Sequence, residues 1–215
     1  MEGSSLPTSI EKDARVWIAQ ARSLVYCVLA LVFDAEGGDG LEALSTSPEV
    51  RESFEVLCGE EGRRLLESVG DLDRFEYAAL FIGPGRAGAS PWESSYRSKD
   101  GLVMGRTTLS VAESYRAAGY ESIGHGRIPD DHIAAELFFM ASLCRDEGTE
   151  AEQLSFLEGH LGMWVGDFAD RVKQADASSV YAAAAAVVAD FVGRDKNLVS
   201  ELVAAPPLHQ KEGSR

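Results

Sequence analysis

Apolar residues recur at steps of three and four along most of this chain, the period of a helix buried on one face. Ile10, Ala14, Trp17, Ala21, Leu24, Val28 and Leu31 form the longest stripe, with Thr8 and Glu11 placed as a capping box and Gly37-Gly38 as a stop. Ser47-Pro48 supplies an N-cap and first-turn proline for a second helix with Val50, Phe54 and Leu57; Leu65, Leu66 and Val69 belong to a third. Asp71 is placed to cap a fourth, which carries residues 75–82 and stops at Gly83. Ser90, Pro91 and Glu93 read as a cap, first-turn and capping-box set, putting Trp92 and Tyr96 in the first turns of a short helix. A helix over 108–118 stops at Gly119, and 120–127 reads as a flexible connection.

The pattern continues into the second half. After Pro129, Ile133, Leu137, Met140 and Cys144 share a stripe flanked by Ala134, Phe138 and Ala141, the mark of a central helix. Thr149 and Glu152 box a helix in which Leu154, Leu157, Leu161, Trp164, Phe168 and Val172 keep phase despite three glycines. An alanine-rich helix spans 179–192, and the chain from Ala204 onward reads as a disordered tail. No β-hairpin, βαβ unit or repeat interrupts this sequence of helices. The fold class is therefore all-α: one helical domain of about eight to ten helices over 1–203, then a tail over 204–215.

Charge narrows the partners. Thirty-five Asp and Glu against 20 Lys and Arg give a formal charge of -15 over 215 residues, which repels nucleic acid and anionic membrane surfaces and favours a basic partner. Cys27, Cys58 and Cys144 lie far apart in apolar helical patterns, as buried thiols do in a reducing compartment. No basic segment followed by an apolar core opens the chain, and the apolar run 180–189 is too short to span a bilayer, so a cytoplasmic location is expected.

Two segments concentrate chemistry. Gly83, Gly85 and Gly88 spell a Gly-x-Gly-x-x-Gly, but the preceding segment has helical phase and Pro84 removes a backbone donor, so a dinucleotide cradle is a weak match. Asp130, Asp131 and His132 open an apolar helix, where an exposed helix start favours carboxylates; His132 and Glu136 share a face four residues apart. A metal site would use these residues and His160, yet no metal-ligand spacing sets them, and no nucleophile context accompanies the histidine.

Tyr77-x-x-Leu80-Phe81-x-Gly83-Pro84-Gly85, Pro91-Trp92-Glu93-Ser94 and Pro129-Asp130-Asp131-His132-x-x-x-Glu136 follow one another as in the TorD/DmsD family of redox-enzyme maturation chaperones, which this chain resembles over roughly residues 72–170. His160 and Trp164 resemble a His-x-x-x-Trp pair of the same family, although helix packing accounts for Trp164. The resemblance implies a non-enzymatic cytoplasmic chaperone without cofactor or metal. Its partner would be the apo catalytic subunit of a molybdenum-cofactor reductase, its twin-arginine leader, or both. The chaperone itself would be a monomer or a helix-swapped dimer. It further implies that Tyr77, Leu80, Phe81, Gly83, Pro84, Trp92, Tyr96, Pro129, Asp130, Asp131, His132 and Glu136 form the peptide-binding region. Carboxylates suit guanidinium groups and aromatic walls suit the apolar stretch behind them. The rival reading is a metal- or nucleotide-dependent hydrolase built on Asp130, Asp131, His132 and Glu136.

Overall fold

A computed structural model describes residues 8–35, 38–82, 88–97, 105–121 and 129–205. Gly83, Pro84 and Gly85, most of the 120–127 connection and all but the first two residues of the expected tail lie outside them. Among the described residues there is no strand, and ten α-helices surround one continuous apolar core, as the sequence period requires.

The first helix, α1 (Thr8–Val32), sends Val25, Val28, Leu29 and Val32 into that core and ends five residues before the expected glycine stop. Its stretch Lys12–Val32 is long and apolar enough to cross a membrane by composition alone. Half of it is buried in the fold, where it packs along α7 (Ile133–Leu143) and α3 (Pro48–Ser68). Arg22, near its middle, is fully buried: it donates to both oxygens of Asp195 at 2.5 and 2.9 Å and to Gln153 Oε1 at 2.7 Å, while Tyr26 OH donates to Asp195 at 2.7 Å. This charge pair ties α1 to α10 (Val180–Ala204) and to α8 (Glu150–Gly159).

Helix α2 (Gly38–Ser45) begins at the second glycine of the expected stop, where no helix is expected. The second and third expected helices are the two halves of α3, broken at Gly59, whose φ of 63° is the left-handed conformation that glycine adopts without strain. Ser47 caps α3 as expected, accepting from Val50 N–H at 3.5 Å. The next cap is Asp73 rather than Asp71, because Asp73 Oδ1 reaches the amides of Phe75 and Glu76 at 2.5 and 3.3 Å. Helix α4 (Arg74–Tyr77) then passes into a wider π-helical turn, Ala78–Ile82.

After α5 (Ser94–Arg97), α6 (Arg106–Ala117) ends at Gly119, φ 83°, as expected. The long helix expected from Thr149 is two. Helix α8 stops at Gly159, Leu161–Met163 forms a tight 3-10 turn, and α9 (Val165–Ala175) resumes. The stripe hides the break because Leu161 and Trp164 stay buried across it. Thr149 does not box α8: its hydroxyl donates backwards to Leu143 and Asp146 carbonyls. Helix α10, capped by Ser179, runs to Ala204, twelve residues past its expected end, because Asp195 and Val199 remain buried.

Candidate functional site

The two motif segments meet along one seam. Residues 90–92 precede α5 rather than belonging to a helix, consistent with the restriction that Pro91 places on Ser90, and Trp92 pairs with His132 in an isolated antiparallel bridge. Ile133 N–H donates to Pro91 O at 2.8 Å and Glu93 N–H to Asp131 O at 2.9 Å. The Trp92 ring stands edge-on to the His132 ring, 5.7 Å between centroids. Ser90 caps nothing; its hydroxyl meets Ser95 Oγ at 2.6 Å and its carbonyl accepts from Tyr96 OH at 2.7 Å.

The caps are exchanged across the seam. Asp131 Oδ2 accepts from Ser94 N–H at 2.9 Å and so satisfies the start of α5, a helix that is remote in sequence. The cap of α7 falls to His132, whose Nδ1 accepts from Ala134 N–H at 3.2 Å. That bond requires an unprotonated Nδ1. Burial lowers the His132 pKa to about 4 against the opposing pull of the Asp34 and Asp131 charges, so the ring is neutral at pH 7 and the cap is kept. Asp131 and His132 are both buried, contrary to the exposed helix start expected of them.

Behind the seam lies a buried acid network. Glu93 and Glu136 are both fully buried, and the Glu93 carboxyl lies close enough to act on that of Glu136. Glu93 also meets Arg97 Nη1 through Oε1 and His160 Nδ1 through Oε2 at 3.1 Å, and His160 Nε2 faces Ser114 Oγ at 3.2 Å. Trp164 Nε1–H donates to Glu136 Oε2 at 3.2 Å, and Tyr115 OH donates to Asp130 O at 2.9 Å. Burial and then the Glu93 charge push the Glu136 pKa well above the usual carboxyl range; burial, with Glu136, Asp130, Asp131 and Glu93 nearby, raises that of Tyr115. Trp164 thus does more than pack. Among the described residues no three His, Cys, Asp or Glu side chains converge as metal ligands.

Tyr77, Leu80 and Phe81 are core residues rather than a displayed wall. Tyr77 and Phe81 stack edge-on at 4.9 Å within a cluster containing Phe33, Phe168 and Tyr181, and Tyr77 OH donates to Phe33 O at 3.1 Å. Helix α4 and the π-helical turn direct them inward and leave the opposite face outward, with Phe75 87% and Ile82 62% exposed. Ile82 lines a cleft of about 300 Å³ with Leu31, Asp34, Leu72, Arg74 and Ala78, among others; Phe75 adjoins Arg74 in the chain. The Asp34 charge acts on both Tyr77, at the cleft, and His132, in the seam. Trp92, Tyr96, Pro129 and Asp130 are half-buried, and Glu136 is wholly enclosed.

The seam therefore gathers Trp92, Asp131, His132 and Glu136, while Tyr77 lines the cleft and Leu80 and Phe81 lie in the core; Gly83 and Pro84 lie outside the described residues. Sequence reasoning missed Phe75, Ile82 and Asp34 as surface and Glu93, Arg97 and Ser114 as network. A signal existed for the first pair: seven apart, they fall in phase with each other and out of phase with Tyr77 and Phe81. Gly88, the last glycine of the apparent nucleotide pattern, instead allows close packing: a Cβ there would stand 2.6 Å from Ala175 Cβ. The segment leading into that pattern is helical.

Known proteins share this architecture. A family model described as nitrate reductase delta subunit matches residues 64–170. Chaperone protein TorD of Vibrio cholerae is 30% identical over 207 residues, spanning 85% of this chain and 94% of its own. Chaperone protein TorD of Shewanella oneidensis is 26% identical over 211 residues, with 88% and 95% covered. The crystal structure of a candidate redox enzyme maturation protein from Archaeoglobus fulgidus, 23% identical, superposes with a TM-score of 0.55 over 80% of this chain and 93% of that one, a likeness of fold.

Proposed function

This chain belongs to the TorD family of maturation chaperones, and from that premise we propose that it holds the apo catalytic subunit of a molybdenum-cofactor reductase, through its twin-arginine leader, in the cytoplasm before export. The relatives are chaperones by name, so the reading is of binding without a reaction, and the hydrolase alternative gains no support from them. The observation that carries the proposal is the cleft beside α4. It joins an apolar lining, Leu31, Leu72 and the exposed Ile82, to the carboxylate of Asp34 in a chain of net charge -15. A leader presents guanidinium groups and then an apolar stretch; the cleft offers partners for both in that order of chemistry.

Calorimetric titration of a twin-arginine leader peptide into the full chain tests this. Affinity should fall as salt screens the ionic part and persist in its apolar part, and replacing both arginines with alanine should remove most of the salt dependence. An affinity indifferent to salt and to those arginines overturns the leader reading. Binding of the leaderless apo-enzyme instead would place recognition on the mature client.

A further inference from the structure

The carboxyls of Glu93 and Glu136 lie close enough to act on each other, in a place where neither can be solvated. Both residues are 0% exposed. Glu136 accepts from Trp164 Nε1–H on Oε2, and its Oε1 is buried with no donor among the described residues. Glu93 has both oxygens engaged by cations or potential cations, Arg97 on one and His160 on the other. Two ionised carboxylates so placed would repel at low dielectric, with a third, Asp131, close enough to add its charge. A single proton resolves all of this: Glu136 Oε1 carries it and donates to Glu93, whose negative charge stays where Arg97 and His160 hold it.

We infer that Glu93 and Glu136 share one proton and act as a clasp that positions the 88–97 segment, and through it the client cleft. The route from clasp to cleft is short. Glu93 is the residue before α5, Glu136 is in the first turn of α7, and Trp164 and His160 bring in the turn between α8 and α9. The same segment is anchored at its other end where Ala89 N–H donates to Leu80 O at 3.0 Å, inside the π-helical turn that presents Ile82. The groups facing the pair come from every element around it: Arg97 from α5, Asp131 before α7, Tyr115 from α6, His160 and Trp164 from the α8–α9 turn.

The direction of the pH effect follows. The folded chain retains a proton that an unfolded glutamate releases in its ordinary range, so the contribution of the pair is whole in mild acid and declines as pH rises, until Glu136 ionises and the clasp opens. Glu136→Gln is the informative variant. Its amide keeps an acceptor for Trp164 and supplies a permanent N–H for Glu93, whereas Glu136→Ala supplies neither.

Three measurements on the full chain test the inference. Infrared difference spectra at neutral pH, wild type minus Glu136→Gln, should show a protonated-carboxyl carbonyl band that fades on raising the pH. Urea unfolding from pH 5 to 9 should show wild-type stability declining toward alkali and Glu136→Gln lacking that decline. Leader affinity, which rests on the proposed function, should fall about tenfold for wild type between neutral and alkaline pH, stay constant for Glu136→Gln, and be low throughout for Glu136→Ala. Absence of the infrared band, or equivalence of the Gln and Ala variants in the urea series, overturns the shared proton. A wild-type affinity that ignores loss of the band overturns the positioning role. The infrared and urea measurements need no peptide, so a chain that shows the band but binds no leader refutes the leader reading and leaves the clasp standing.

Discussion

Asp131 is the residue for which structure and sequence give opposite forecasts, and substituting it decides between them. As an exposed client ligand it could be replaced with little loss of stability. In the fold its side chain is fully buried, and Oδ2 is the acceptor for the Ser94 amide at 2.9 Å. Asp131→Ala removes a charge-assisted bond and leaves a buried N–H unpaired, each on the order of 1–3 kcal/mol and not additive. Against this stands a gain. The variant also removes a buried negative charge beside Glu136, and Oδ1 has no donor among the described residues. The bond loss outweighs the charge relief because the orphaned amide opens α5 and water cannot reach it, so the net cost should be about 2 kcal/mol. Asp131→Asn separates the two effects: it keeps the acceptor, discards the charge, and should stay within about 1 kcal/mol of wild type. Urea unfolding at neutral pH, with m-values compared to exclude a changed transition, gives both numbers, and hydrogen exchange at the Ser94 amide should accelerate only in the Ala variant. If the Ala variant is as stable as wild type, or Asn is as damaging as Ala, the capping assignment fails.

Other expectations follow from the same geometry. Phe75→Ala with Ile82→Ala removes exposed apolar surface, so stability should stay within about 0.5 kcal/mol of wild type while leader affinity drops at every salt concentration; unchanged affinity moves the site off this cleft. Phe81→Ala, by contrast, should cost about 3–5 kcal/mol in an unfolding experiment, since the ring is core. His132 has a depressed pKa of about 4, so its stabilising contribution is present above the ordinary histidine value of 6.5 and is lost as pH falls toward 4; His132→Asn keeps a cap that does not titrate and should flatten that acid limb in urea midpoints. Asp195→Ala leaves Arg22 charged and buried without its partner and should cost about 3–5 kcal/mol, read by thermal or urea unfolding; a loss below 1 kcal/mol would mean Arg22 reaches solvent.

What could be read from the sequence was what is local. The all-α class, the Ser47 cap, the Gly119 stop and the inward stripe of α7 each depend on residues within a few positions of one another, and each is found. The errors came where a partner is distant. A carboxylate at a helix start looks like that helix's own cap, yet Asp131 serves an amide 37 residues away, and no spacing rule carries that information. The apolar stripe through α8 and α9 conceals their boundary because a 3-10 turn preserves the inward phase of Leu161 and Trp164 while changing the path of the chain.

The same reasoning separates the family's motif from the surface that binds. A motif next to a glycine-proline loop invites the view that its aromatic and acidic residues are displayed, but Tyr77, Phe81, Asp131, His132 and Glu136 all face inward. The partners of Tyr77, Asp131 and Glu136 lie 44, 37 and 28 residues away, so these three side chains hold separate parts of the chain together rather than wait for a ligand, while His132 caps its own helix. Burying a neutral histidine and two neighbouring carboxyls is costly for an ordinary core, and a core of aliphatic residues would be as stable. Their presence is understandable if the seam must keep one arrangement, with the 88–97 segment at a fixed distance from the π-helical turn. On the proposed reading, specificity of position rather than contact with the client is the work of the motif, and recognition falls to the cleft residues Ile82 and Asp34.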